Sequence, residues 1–354
     1  MPLLVSFILF LFLYLLSPYW DELNSRNNNK ILIILFVICV FTIGVRNPAY
    51  WIDTAAYVFS FWESENLTSF TLHDDNSAYS EKGYYLICVI IKTFTNSSLI
   101  YLTVIGLLSM SFLFKSLRRY CLLPVLGLSI YIARYMLSRD MNQMRGGLAI
   151  SMLMAFTYLL STIKIKDEFK YVVVCWLISF IHTSILAAIP IVLLNHVKIT
   201  KKWICFGIIA SFLVSASFSQ QIIDFISQSD TIKEMARDYV DKEGENIKAY
   251  AADLSNPMIY YQCVILFIYT FMEKKLVPMS KYYYVFRNGF FMSTVILIIL
   301  CQYAILAGRV STIFATFEIF MIPMIIKGLP KSYRSFAYLV LLAPLTMFFF
   351  KNYA

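Results

Sequence analysis

Charge is scarce in this chain of 354 residues: Asp, Glu, Lys and Arg together make up 14% of it, where a soluble globular domain carries about a quarter. Histidine is scarcer, with His73, His182 and His196 alone. The seven cysteines (39, 88, 121, 175, 205, 263 and 301) include no CxxC pair, and all lie in or beside apolar segments. That pattern offers neither a disulfide framework nor zinc-ligand spacing, and the cysteines read as small packing residues. No P-loop and no GxSxG elbow occurs, which argues against nucleotide-driven and serine-hydrolase chemistry. The "HDD" at 73–75 is not a DxD metal motif and reads as a turn. Internal repeats, low-complexity linkers and any soluble domain are also missing. No cofactor and no metal are expected.

What the chain has in excess is apolar sequence, at 60%. Runs such as "ILIILFVICVFTIGV" (31–45) and "FFMSTVILIILCQYAILAG" (290–308) recur, long enough with their flanks to cross a hydrocarbon layer of about 30 Å as helices. The runs are continuous rather than alternating, which favours helices over a membrane barrel. The reading is an all-α polytopic membrane protein, one integral membrane domain over 1–354. The N-terminal "MPLLVSFILFLFLYLLSPYW" lacks a basic n-region and a small-x-small site, so it reads as a retained first span rather than a removed signal peptide. The net charge of +9 then reflects basic cytoplasmic loops, not a nucleic-acid partner.

Loop charge sets an expected topology. "KSLRRY" (115–120), "IKIKDEFK" (163–170), "VKITKK" (197–202), "EKKLVPMSKYYYVFR" (273–287) and "KGLPKSYR" (327–334) are basic and belong in the cytoplasm. Residues 47–82 hold six acids against one base, and residues 220–256 eight against four; both read as periplasmic loops. Threading these constraints gives spans near 3–19, 30–46, 99–115, 121–138, 146–162, 203–219, 257–272, 288–306, 309–326 and 335–350. Residues 83–95 fit a half-helix or an interfacial helix. Residues 171–195 fit either a re-entrant pair broken around His182 or a misplaced loop, since each arm of 11 to 13 residues is short of a full crossing.

This topology collects Arg46, Arg134, Arg139, Arg145 and Arg309 at the outer face, where the positive-inside rule disfavours them. Arginine presents a planar fork that pairs bidentately with phosphate oxygens. A cluster at the outer end of a helix bundle suits a diphosphate, and the diphosphate available there is a polyprenyl-diphosphate sugar carrier. The bland alternative is snorkelling to lipid phosphates or pairing with Asp53 and Glu81. Asp53 and Tyr57 lie one turn apart on one face, with Asp53 readable as a helix N-cap, a site carboxylate, or both. Glu81 precedes a glycine and two tyrosines, Tyr84 among them, and reads as an exposed loop acid or a site acid. His182 is the one histidine inside an apolar segment, readable as hydrogen-bonded structure or as a base near neutral pKa. Glu318, deep in its span, reads as structural.

These residues, in this order, resemble the bacterial polysaccharide polymerases of the EpsG and Wzy type. Arg46, Asp53 and Tyr57 match that family's Arg, then Asp and Tyr four apart. "EKGYY" matches its Glu-x-Gly-aromatic element with Glu81 and Gly83, and "MRGGLA" its span-opening Arg with Arg145. "FIHTSILAAIP" matches its Phe-x-His-x-Ser element with His182 and Pro190, and "GRVSTIF" its late Arg with Arg309. The resemblance covers about residues 30–327; it departs where the family often has a glycine before the aspartate and this chain has "YWID". It implies a glycosyltransferase-C-like bundle of about 10–12 transmembrane helices in the inner membrane of a bacterium. The implied reaction moves a growing glycan from undecaprenyl diphosphate onto the terminal sugar of a new lipid-linked repeat unit. His182, Asp53 and Glu81 are then the candidate catalytic residues, Arg145, Arg309, Arg139 and Arg46 the diphosphate-binding ones, and Tyr57 and Tyr84 position substrate. Implied partners are the undecaprenyl-diphosphate-linked oligosaccharide, membrane lipids and a chain-length regulator protein. An O-antigen ligase or another lipid-linked sugar transferase would share the arginines with a different acceptor. A lipid-linked oligosaccharide flippase would instead be expected to carry repeats and a central charged passage.

Overall fold

A computed structural model describes residues 2–23, 25–68, 81–197, 199–228, 254–302 and 304–351. His73, the "HDD" turn and the middle parts of both expected outer loops lie outside the described residues. Among those described, every regular element is a helix. Long apolar side chains stand exposed on many of them, including Phe12 and Leu15, Phe41, Phe94, Phe206 and Leu339. A surface so rich in large hydrophobic groups is stable against lipid, not against water. The protein is an all-α polytopic membrane protein.

Among the described residues, four helical stretches suffice by length and composition to cross a membrane: Leu3–Trp20, Ser98–Tyr120, Met144–Ser161 and Lys331–Lys351. Leu306–Ala315 and Glu318–Gly328 make a fifth if they act as one broken span. Of the other expected crossings, 203–219 lies inside the unbroken helix Lys201–Gln228, and the rest are helical but shorter or interrupted. The run read as 288–306 stops at Ile299, and the span expected over 309–326 is two helices, Ala304–Ala315 and Glu318–Gly328. Arg309 therefore lies within a helix, not at the start of a span. Loop charge also misplaced some helix ends. "KSLRRY" forms the last turns of a helix, and "KDEFK" the first turns of another.

The chain separates into two compact units, Met1–Ile189 with Ile319–Ala354, and Pro190–Glu318. In the first, α1 (Pro2–Trp20), α2 (Ser25–Gly44), α3 (Ile52–Glu63), α4 (Lys82–Phe94), α5 (Ser98–Tyr120), α6 (Pro124–Tyr131), α7 (Met144–Phe156) and α8 (Ile165–Ser179) follow one another. The helix α5 is the longest of these, 23 residues, or about 35 Å at 1.5 Å per residue. It packs against α2 and α7. Gly106 lets α2 approach: a Cβ there would sit 2.8 Å from Ile43 Cγ2. The chain enters α6 at Pro124, and the side chain of Asp21 caps that helix from just past α1. Its two carboxylate oxygens accept from the Val125 and Leu126 N–H groups at 2.9 and 3.0 Å. The acid is buried, and desolvation pushes its pKa up to about 7 against those two hydrogen bonds and the charge of Lys327.

After α6 the helix widens. Ile132–Asp140 winds as a π-helix, and its exit keeps i→i+5 bonds from Met141 N to Met136 O and from Gln143 N to Ser138 O, both 3.0 Å. Such segments are rare and often mark functional sites. In the second unit, Tyr283–Ile299 packs against Lys201–Gln228, Pro257–Phe271 and Ala304–Ala315. Arg287, which the charge pattern put in a cytoplasmic loop, is buried on that helix. It donates to the Ile199 carbonyl at 2.7 Å and faces Glu273 at 3.6 Å.

Candidate functional site

Three breaks in helical structure meet in the first unit. The chain leaves α8 at Ser179, and Phe180 to His182 carry it to a 3-10 turn, Thr183–Ala188. That break presents the Phe180 carbonyl to the start of α4, where it accepts from Gly83 N at 2.8 Å and Tyr84 N at 3.2 Å. The first amides of a helix are ordinarily satisfied by the side chain of the N-cap residue. Here the N-cap is Glu81, which makes no such bond. Because Phe180 caps the helix in its place, the Glu81 carboxylate turns away. The close approach needs glycine at 83, since a Cβ would lie 2.7 Å from the Phe180 oxygen and 2.8 Å from its Cβ.

The released carboxylate bridges two other candidates. One Glu81 oxygen accepts from Arg145 Nη1, and the other lies 3.2 Å from His182 Nδ1. Arg145, at the start of α7, also donates from Nε to the Tyr57 hydroxyl at 3.2 Å, with its guanidinium 5.3 Å from the centre of that ring. His182 has extended backbone, and its ring edge lies 3.5 Å from where a Gly146 Cβ would stand. Tyr84 completes the wall, its ring 6.0 Å from Tyr57 and its hydroxyl 2.9 Å from that of Tyr101. The Arg145, Glu81 and His182 side chains are 22%, 9% and 14% exposed, enclosed yet reachable. This arrangement holds a cation, an orienting carboxylate and an imidazole together.

Asp53 sits apart from this contact set. The N-cap of α3 is Trp51, and Asp53 occupies the first turn, so the N-cap reading is corrected; the carboxylate there still complements the helix dipole. Its N–H donates to Asn142 Oδ1 at 3.1 Å, and Thr54 Oγ1 donates to the Met141 carbonyl. These bonds tie α3 to the turn before α7.

Two other arginines expected at the diphosphate are buried. Arg46 donates to the Ile43 carbonyl and meets the Met144 thioether, and its Nε has no hydrogen-bond partner among the described residues. Arg139 stacks 4.0 Å from the centre of the Tyr135 ring. Arg134, five residues earlier on the π-helix, faces the same ring at 5.2 Å and Phe348 at 4.6 Å. Arg309 belongs to the second unit.

One residue the sequence reading passed over is Asp140. It is buried, and its carboxylate accepts from Ser109 and from the Tyr131 hydroxyl, the latter at 2.6 Å. Gly147 leaves room for it, an added Cβ there falling 3.3 Å from Asp140 Oδ1. Its one signal is position, since it follows Arg139 directly in "SRDMN". Among the described residues, no three His, Cys, Asp or Glu side chains gather as a metal site requires.

The sequence profile of the EpsG family matches residues 29–354. The amylovoran biosynthesis protein AmsC of Erwinia amylovora is 23% identical over 159 residues, 43% of this chain and 42% of that one. The chain thus aligns with less than half the length of that relative. No solved structure matches.

Proposed function

The chain belongs to the EpsG family, and from that premise we propose that it is a polysaccharide polymerase, a glycosyltransferase that extends lipid-linked glycans. The substrates in this reading are two undecaprenyl-diphosphate-linked oligosaccharides, met at the periplasmic face of the inner membrane. The relative named for amylovoran biosynthesis supports polysaccharide assembly as the setting.

The observation that carries the reading is the Arg145–Glu81–His182 contact set. Glu81 accepts from His182 Nδ1–H, which fixes the tautomer and leaves Nε2 with its lone pair, the relation an orienting carboxylate has to a general base. Of the three acids and bases expected, Glu81 therefore serves as the positioning residue and His182 as the base. His182 Nε2 takes the proton of the acceptor sugar hydroxyl. The acceptor oxygen bonds to the anomeric carbon of the growing glycan as that carbon's bond to the diphosphate oxygen breaks, and undecaprenyl diphosphate departs with the electron pair. Arg145 meets the charge that develops on the leaving diphosphate. Tyr57 holds the guanidinium level, and Tyr84, fully buried, backs Tyr57 rather than meeting substrate itself. A diphosphate is already a good leaving group, so positioning and charge stabilisation suffice.

The test is the glycan profile of cells lacking the gene, complemented at matched membrane levels with wild type, Arg145→Ala or His182→Ala. The expected result is single repeat units without the gene, a ladder with wild type, and single units with either variant. A ladder with both variants removes this site. Ladders that persist without the gene but fail to reach their final acceptor indicate a ligase, and lipid-linked units trapped on the cytoplasmic face indicate a flippase.

A further inference from the structure

Away from the contact set, α2 and α5 enclose a groove of about 530 Å³ whose walls and mouth differ sharply in chemistry. Leu32, Phe36 and Phe114 line the wall, and Lys115, Arg118 and Arg119 ring the mouth. Phe36 and Phe114 meet edge to face at 5.3 Å, which fixes the wall. The three cations stand at the C-terminal end of α5, where one suffices to complement the helix dipole. All three are exposed, and none forms an ion pair with a carboxylate among the described residues. Arg119 is held in place, its guanidinium 3.9 Å from the centre of the Tyr158 ring. The backbone at Tyr158 is anchored in turn, its N–H donating to the Tyr120 hydroxyl at 3.0 Å.

We propose that this groove is a binding site for an anionic phospholipid of the surrounding leaflet, its acyl chain on the Leu32–Phe36–Phe114 wall and its phosphate on Lys115, Arg118 and Arg119. The juxtaposition of an apolar channel with an unneutralised cationic mouth, at the end of a helix long enough to span the bilayer, matches the two halves of such a lipid. A free anion would use the mouth alone. A zwitterionic lipid would bring the mouth a phosphate already offset by its own cation. Preorganisation of Arg119 by Tyr158 lowers the ordering cost of binding. Each cation near an anionic headgroup is worth roughly fivefold in affinity, so three give a preference on the order of a hundredfold over a zwitterionic lipid of the same chains.

The experiment uses the full-length protein purified in detergent, with retained and added lipids measured by native mass spectrometry. Phosphatidylglycerol, phosphatidylcholine of the same chains, undecaprenyl phosphate and inorganic phosphate are the probes. Two variants accompany wild type. The triple change Lys115→Gln, Arg118→Gln, Arg119→Gln removes the mouth, and Ile33→Trp, on an exposed lining position, narrows the groove while keeping every charge. The proposal expects wild type to hold phosphatidylglycerol with a marked preference over phosphatidylcholine, the triple variant to lose that preference, and Ile33→Trp to bind both lipids more weakly. Equal binding of the two phospholipids, unchanged preference in the triple variant, displacement by inorganic phosphate, or stronger binding of undecaprenyl phosphate at the same residues would each overturn it.

Discussion

At the scale of single residues, the proposed chemistry turns on the glutamate at 81. It stands where a helix N-cap stands, yet its carboxylate serves Arg145 and His182 because the Phe180 carbonyl has taken over the capping bonds. Glu81→Gln keeps the shape and removes the charge. It is expected to lower the polymerisation rate by about 10²–10³ with little loss of membrane level, read from chain-length profiles at matched expression. Gly83→Ala acts differently, through the 2.7 Å approach to the Phe180 oxygen. It is expected to destabilise the first unit by about 1–3 kcal/mol, measured as a lower unfolding midpoint in detergent. Glu81, Gly83, Arg145 and His182 were legible in the sequence because each sits in a short motif with its own spacing. Asp140 was not, although it lies in the same stretch as Arg139 and Arg145. Its burial depends on Ser109 from α5 and on Tyr131 across the π-helix, neither of which adjacency in sequence reveals. The surroundings of the arginines were not legible either: Arg46 donates to a backbone carbonyl and Arg139 stacks on an aromatic ring.

At the scale of elements, the informative features are where helices stop. Apolar run length predicted helices well, and the short arms of 171–195 pointed to the break that falls at Phe180–His182, but nothing in the run foretold the widening at Ile132–Asp140. The charge pattern likewise read "KSLRRY" as a loop, whereas Lys115 to Arg119 wind into α5 and favour its negative end. Asp21 ties two such elements, capping α6 from the end of α1. Asp21→Ala is expected to cost about 1–2 kcal/mol, seen as an earlier thermal transition. The same acid gives a pH signature. Its folded pKa is raised to about 7 by burial, while in the unfolded chain it titrates near 3.9. Between those values the folded state holds a proton that the unfolded state has lost, so stability falls as pH rises across roughly pH 4 to 7 and is level above it. Asp21→Asn should flatten that slope, with wild type and variant compared by unfolding at stepped pH.

For the whole molecule, the sequence conveyed the class more readily than the count of crossings. Sixty per cent apolar residues and few charges require a membrane protein, yet among the described residues four helical stretches are long and apolar enough to cross, with a fifth if the bent pair Leu306–Ala315 and Glu318–Gly328 acts as one span. Several runs that look like single spans are split within the fold. The proposed orientation puts Asp53 at the periplasmic side and Arg118, at the far end of α5, in the cytoplasm. With the native cysteines replaced, Asp53→Cys should react with an impermeant maleimide in intact cells, and Arg118→Cys only after the membrane is opened.

The central claim is that the first unit performs glycan transfer from a lipid diphosphate with His182 as base and Arg145 on the leaving group. The most direct measurement reconstitutes the purified full-length protein in liposomes with undecaprenyl-diphosphate-linked repeat units and no nucleotide sugar. Glycan length and released undecaprenyl diphosphate are then followed together. The account predicts a ladder with wild type, one lipid diphosphate released per bond formed, and neither product with His182→Ala or Arg145→Ala. A ladder of unchanged rate from both variants, or chain growth only when a nucleotide sugar is supplied, would contradict it.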